Sequence, residues 1–86
     1  MSVALAQESA RRELFVRHAH KDGRSVAVLR AYEGAGGCHV ESEVFSTGGG
    51  DAHHSTQSFA DVRTAVAFVT EAVEALMYLG CDVQAE

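Results

Sequence analysis

The stretch "ELFVRHAHKDGRSVAVLRAYE", Glu13 to Glu33, decides the fold. Two β-rich runs flank Asp22-Gly23. Asp-Gly in that position is the strongest short hairpin signal, because both central residues of a type I′ turn need positive φ. A two-residue loop there predicts Ala19 opposite Val26, Arg17 opposite Val28, Phe15 opposite Arg30 and Val16 opposite Leu29. A second hairpin follows, with Gly34 to Gly37 as a four-residue glycine loop into "CHVESEVFS", Cys38 to Ser46. That loop predicts Ala31 opposite Val40, Arg30 opposite Glu41 and Ala27 opposite Val44.

Directly opposed residues share a face, so the two registers sort the side chains. One face collects Leu14, Val16, His18, Ala27, Leu29, Ala31, Val40, Ser42 and Val44, mostly aliphatic or small. The other collects Phe15, Arg17, Val26, Val28, Arg30, Tyr32, His39, Glu41, Glu43 and Phe45. On it Arg30 lies beside Glu41, and Arg17 shares a row with Glu43, so opposite charges fall together.

"SFADVRTAVAFVTEAVEALMYLG", Ser58 to Gly80, reads as a helix of about 22 residues. Val62, Val66, Val69, Val73, Leu76 and Met77 repeat at helical spacing. Ser58 with Asp61 resembles a capping box, and Gly80 supplies a left-handed stop. The helix is expected on the aliphatic face. The fold class predicted is α+β: a three-stranded antiparallel β-meander with one long C-terminal α-helix packed on one face, a two-layer βββα unit. Residues 1–12 are an N-terminal segment, flexible or a short helix, and 13–86 the single domain. A helix returning antiparallel to the third strand would end near Glu13, Tyr32 and Cys38. Arg11 and Arg12 would then offset its negative terminus, and Cys38 and Cys81 would be neighbours.

At 86 residues, with 47% hydrophobic and 22% charged residues, the chain has the composition of a small globular domain with a modest core. No apolar run reaches the roughly 18 residues of a membrane span, and no leader pattern opens the sequence. The compartment expected is the cytoplasm, where Cys38 and Cys81 stay thiols. The net charge of −5 works against a dedicated nucleic-acid binder. It is unevenly spread, because six of the seven bases, Arg11, Arg12, Arg17, Lys21, Arg24 and Arg30, precede Cys38.

Three functional readings follow. One helix covers one side of the meander and leaves Phe15, Arg17, Val26, Val28, Arg30, Tyr32, Glu41, Glu43 and Phe45 on the other. So much apolar surface interspersed with charge points to self-association about a two-fold axis. The chain is then a small non-enzymatic binding or regulatory module, a homodimer through its open sheet face. The alternative uses Phe15, Arg17, Arg30 and Tyr32 as a stacking platform for single-stranded nucleic acid. The third gathers His18, His20, Asp51, His53 and His54 into a metal site of imidazoles and a carboxylate. The glycine-rich stretch Ser46–Phe59 reads as a long connection, since it lacks the lysine and spacing of a phosphate loop. Cys38 and the adjacent His39 point to opposite faces of a strand, so they make no nucleophile–base pair. No catalytic chemistry and no cofactor is expected.

Overall fold

A computed structural model describes residues 12–34, 36–46 and 51–85. Of the expected N-terminal segment, residues 1–12, residues 1–11 lie outside them, and Arg12 opens the first strand. The described chain is α+β: an antiparallel sheet with one helix near its C-terminus. The sheet has five strands, where three are expected. They are β1 (Arg12–Lys21), β2 (Arg24–Gly34), β3 (Gly37–Val44), β4 (His53–Phe59) and β5 (Asp82–Ala85), in spatial order β4-β3-β2-β1-β5. Helix α1 (Val62–Tyr78) lies between β4 and β5 in sequence.

Both hairpins form where the sequence places them. Asp22 and Gly23 have φ of 54° and 77°, the paired positive values of a primed turn. In the second hairpin Ala31 pairs with Val40, Arg30 with Glu41 and Ala27 with Val44, as expected. Its loop is tighter than four residues, because Gly34 and Gly37 are themselves paired.

The first hairpin departs from its expected register in the middle. Lys21–Arg24 and His20–Ser25 pair as the turn dictates, as do Glu13–Tyr32 and Arg12–Glu33 at the far end. Between them Ala19 pairs with Ala27, Arg17 with Leu29, Phe15 with Ala31 and His18 with Val28. Two register shifts bound this section, leaving Val26 as the extra residue on β2 and Leu14 on β1. One bulge offsets the other, so the turn and the strand ends keep their register while the middle of β1 changes face. Phe15 and Arg17 therefore sit on the helix side, and Val16 and His18 on the opposite side. The bulge at Leu14 lets two consecutive large apolar residues, Leu14 and Phe15, pack against the core. Burying even part of a phenylalanine is worth on the order of 1–2 kcal/mol.

The core is shallow and lies under α1. Leu29, Ala31, Cys38 and Val40 of the sheet meet Ala65 and Val69 of the helix, with Phe59 and Phe68 tilted together at 5.3 Å. Ala31 and Ala65 have no exposed surface, which is how an alanine pair brings helix and sheet close together.

β4 reverses the chain once more, and this inverts the expected helix direction. Phe59 pairs with Cys38, so α1 begins at the Gly34–Gly37 end of the sheet and runs in the sense of β3. It ends at the Asp22-Gly23 turn, where Lys21 Nζ donates to Leu79 O at 2.9 Å. Lys21, and not Arg12, thus meets the negative helix terminus, since Arg12 pairs with Glu33 at the other end of the sheet. Cys38 stands at the start of the helix and Cys81 beyond its end, so the two thiols are not neighbours. The N-cap is Asp61 in place of Ser58: its carboxylate accepts from Thr64 N at 2.9 Å and Thr64 Oγ1 at 2.8 Å. Both bonds favour the ionised form and hold the Asp61 carboxyl below its ordinary value of 3.8. The helix closes as expected at Gly80, φ 96°, with Gly80 N donating to Met77 O and Cys81 N to Leu76 O, each 3.0 Å.

Candidate functional site

α1 covers only the face carrying Ala27, Leu29, Ala31 and Val40. No described residue lays a second layer over the opposite face, and that face is the candidate site. Alternation along the strands dictates its contents. β2 presents Val28, Arg30 and Tyr32, and β3 presents His39, Glu41 and Glu43. Glu13, Val16, His18 and His20 come from β1, with Val16 only 4% exposed; His54, Thr56 and Ser58 from β4; and Asp82, opposite His20, from β5.

Side-chain contacts tie neighbouring strands together across this face. Arg30 Nε lies 3.3 Å from Glu13 Oε1, and His54 Nε2 lies 3.3 Å from Glu43 Oε2. Tyr32 stacks on His39 at 5.3 Å, and His39 Nδ1 is 2.9 Å from Ser58 Oγ. The His18 and His20 rings stand 4.0 Å apart, and His18 Nε2 is 2.9 Å from Ser25 Oγ. A shallow groove of about 240 Å³ runs over Val28, Arg30, Glu41, Glu43, His54 and Thr56. Exposed pairs of this kind contribute little to stability, ~0–1 kcal/mol each. They do set which charges a partner meets.

The residues expected on the open face divide. Val28, Arg30, Tyr32, Glu41 and Glu43 stand there. Phe15 and Arg17 do not: Arg17 lies over the Phe15 ring at 5.0 Å, and both line a groove with Val66, Val69, Val73 and Glu74 of α1. Val26 and Phe45 border a separate hollow of about 390 Å³ with Lys21, Asp22 and Arg24 at the first turn. Sequence alternation carried no sign of the paired bulges, and the move of Phe15 and Arg17 follows from them.

The histidines are also regrouped. His18 and His20 are on β1 and His53 and His54 on β4, with β2 and β3 between them. Three strand spacings keep the groups about 14 Å apart. His53 and His54 alternate to opposite faces, and Asp51 is exposed before β4 begins. Among the described residues, no three His, Cys, Asp or Glu side chains stand close enough to hold a metal ion. What the sequence reading missed is that His18, His20, His39 and His54 all share the open face. β4 was the hidden element, because its pattern "HHSTQSF" has a single apolar residue and no alternation to detect.

Cys38 is buried beneath α1, while His39 points the other way onto Tyr32, which leaves the thiol without an imidazole beside it. No helix among the described residues is long and apolar enough to cross a membrane. Compared with protein-family models, curated proteins and solved structures, the chain matches none.

Proposed function

We propose that this protein is a small non-enzymatic binding module that self-associates through the sheet face opposite α1. One observation carries the reading: among the described residues this face has no covering layer, yet it holds Val28 and Tyr32 within an ordered set of cross-strand charge pairs. Strands β1–β4 present a rectangle of about 19 Å by 26 Å, or ~500 Å² per copy. Two such faces bury ~1,000 Å² together, at the lower edge of what a specific interface needs. The dimer is therefore weak and exchanges readily. Sheets stacked face to face pack with their strands within about 30° of each other, which a two-fold axis near β2 permits.

The relocation of Phe15 and Arg17 weighs against a nucleic-acid platform. The remaining guanidinium, Arg30, is held by Glu13, and Glu41 and Glu43 lie beside it. A strand-tracking surface needs concentrated positive charge, and this one is acidic at neutral pH.

Light scattering after size exclusion, across a concentration series, tests the reading. Wild type is expected to shift from monomer towards dimer at tens of micromolar, and Val28→Glu to remain monomeric with an unchanged circular dichroism spectrum. Wild type monomeric throughout, or Val28→Glu dimerising equally well, refutes it. Titration with labelled single-stranded DNA and RNA at low salt is expected to show no salt-sensitive binding.

A further inference from the structure

We infer that this self-association is governed by the four histidines of the open face, so that the protein pairs with a second copy of itself more tightly as pH falls from 8 towards 6. The inference rests on the open face being the dimer surface, and goes beyond it in assigning what controls the contact.

The charge on the face can be read strand by strand. β1 brings Glu13, His18 and His20, and β2 brings Arg30 and Tyr32. From β3 come His39, Glu41 and Glu43; from β4 His54; from β5 Asp82. α1 packs on the other side and presents nothing here. With the imidazoles neutral, four carboxylates oppose one guanidinium, a net charge of −3 on each face. With all four imidazoles charged, the same face carries +1. The sign of the face is thus set by how many of its imidazoles carry a proton, and histidine is the side-chain type whose charge answers to pH near neutrality. No other patch of the described sheet concentrates this chain's histidines so.

Two copies meeting by a two-fold axis present the same charge to each other. Above the imidazole range both faces carry −3, and like charge opposes encounter and contact. As protons are taken up the net charge passes through zero with both signs interspersed, and each new imidazolium faces carboxylates of its own copy and of the partner. A rotation about an axis along β2 superposes β1 of one copy on β3 of the other, which brings the His18–His20 strand over the Glu41–Glu43 strand. Since the interface is only about 1,000 Å², a few charges decide whether it holds. Dimerisation consequently takes up protons.

Sedimentation equilibrium on the full chain at pH 8, 7 and 6, each at 50 and 500 mM NaCl, provides the test. At low salt the dimer dissociation constant is expected to fall at least ten-fold between pH 8 and pH 6. High salt should tighten the dimer at pH 8, by screening the repulsion, and change it little at pH 6. The double variant His20→Gln/His54→Gln, with both positions at the surface, removes two of the four titrating charges and should lose about half of the pH response. Glu43→Gln should tighten the dimer at pH 8. A dissociation constant that stays flat with pH overturns the inference while leaving self-association intact, as does an unchanged pH response in the double variant. Wild type monomeric under every condition, or a dimer indifferent to Val28→Glu, overturns both.

Discussion

Gly37 sits where β3 begins, with φ of 124°, and a Cβ built there would lie 2.6 Å from the Phe59 carbonyl oxygen and 3.5 Å from that of Ala60. Two separate penalties attend Gly37→Ala. The backbone conformation is one that L side chains rarely adopt, at a cost of about 1–2 kcal/mol. The carbon–oxygen contact is shorter than real side chains tolerate, so the Phe59 backbone must move. Phe59 joins β4 to the start of α1 and packs against Phe68, and its displacement disturbs helix and core together. The sum expected is about 2–4 kcal/mol, in the range of backbone strain with disrupted packing. Gly36 is the internal control. Its φ is 86°, but an added Cβ there meets nothing within 4 Å, so Gly36→Ala should cost about 1 kcal/mol from conformation alone. For a domain of this size each kcal/mol lowers the midpoint by about 4–8 °C. Thermal melts by circular dichroism should thus place Gly37→Ala about 5–20 °C below Gly36→Ala. Equal midpoints for the two variants would mean that Phe59 does not lie against Gly37. The β3–β4 pairing and the helix direction that depends on it would then both fall.

Two other outcomes are expected. Asp61 caps α1 as a carboxylate with its pKa depressed, so its contribution is complete above the unfolded value of about 3.8 and is lost as pH falls through the lower folded value. Urea midpoints for wild type should drop more steeply below about pH 4 than those of Asp61→Asn, whose amide oxygen caps at any pH; parallel curves would exclude the cap. Cys38 is buried at the head of the helix and Cys81 is partly exposed beyond its tail. Mass spectrometry after brief alkylation of the native protein should find Cys81 modified first, and mild oxidation should produce no internal Cys38–Cys81 bridge.

Which parts of this were legible in the sequence follows from what each signal measures. Asp22-Gly23, Gly34–Gly37 and Gly80 act through local backbone conformation, and the turns and the helix stop stand where those residues put them. The valine and alanine repeat of α1 and the alternation in β2 and β3 measure which side chains avoid water, so Ala27, Leu29, Ala31 and Val40 face the helix as expected. β4 and β5 carried no such mark. An edge strand in which a single residue, Phe59 in β4 or Val83 in β5, is partly buried is held by backbone hydrogen bonds to its neighbour, and these leave no trace in side-chain pattern. Missing β4 also reversed the helix and separated Cys38 from Cys81.

Sequence alone thus determined the class of fold, both hairpins, the faces of β2 and β3, and the existence and end of the helix. Those features depend on residues within a few positions of each other, or on a simple in-or-out preference. Only the tertiary structure decided the face presented by β1, the sense of α1 and the gathering of His18, His20, His39 and His54 on one surface. Each of these turns on a competition between distant contacts: the packing of Leu14 and Phe15 against the core outweighs the unbroken pairing that the turn would otherwise propagate along the strand.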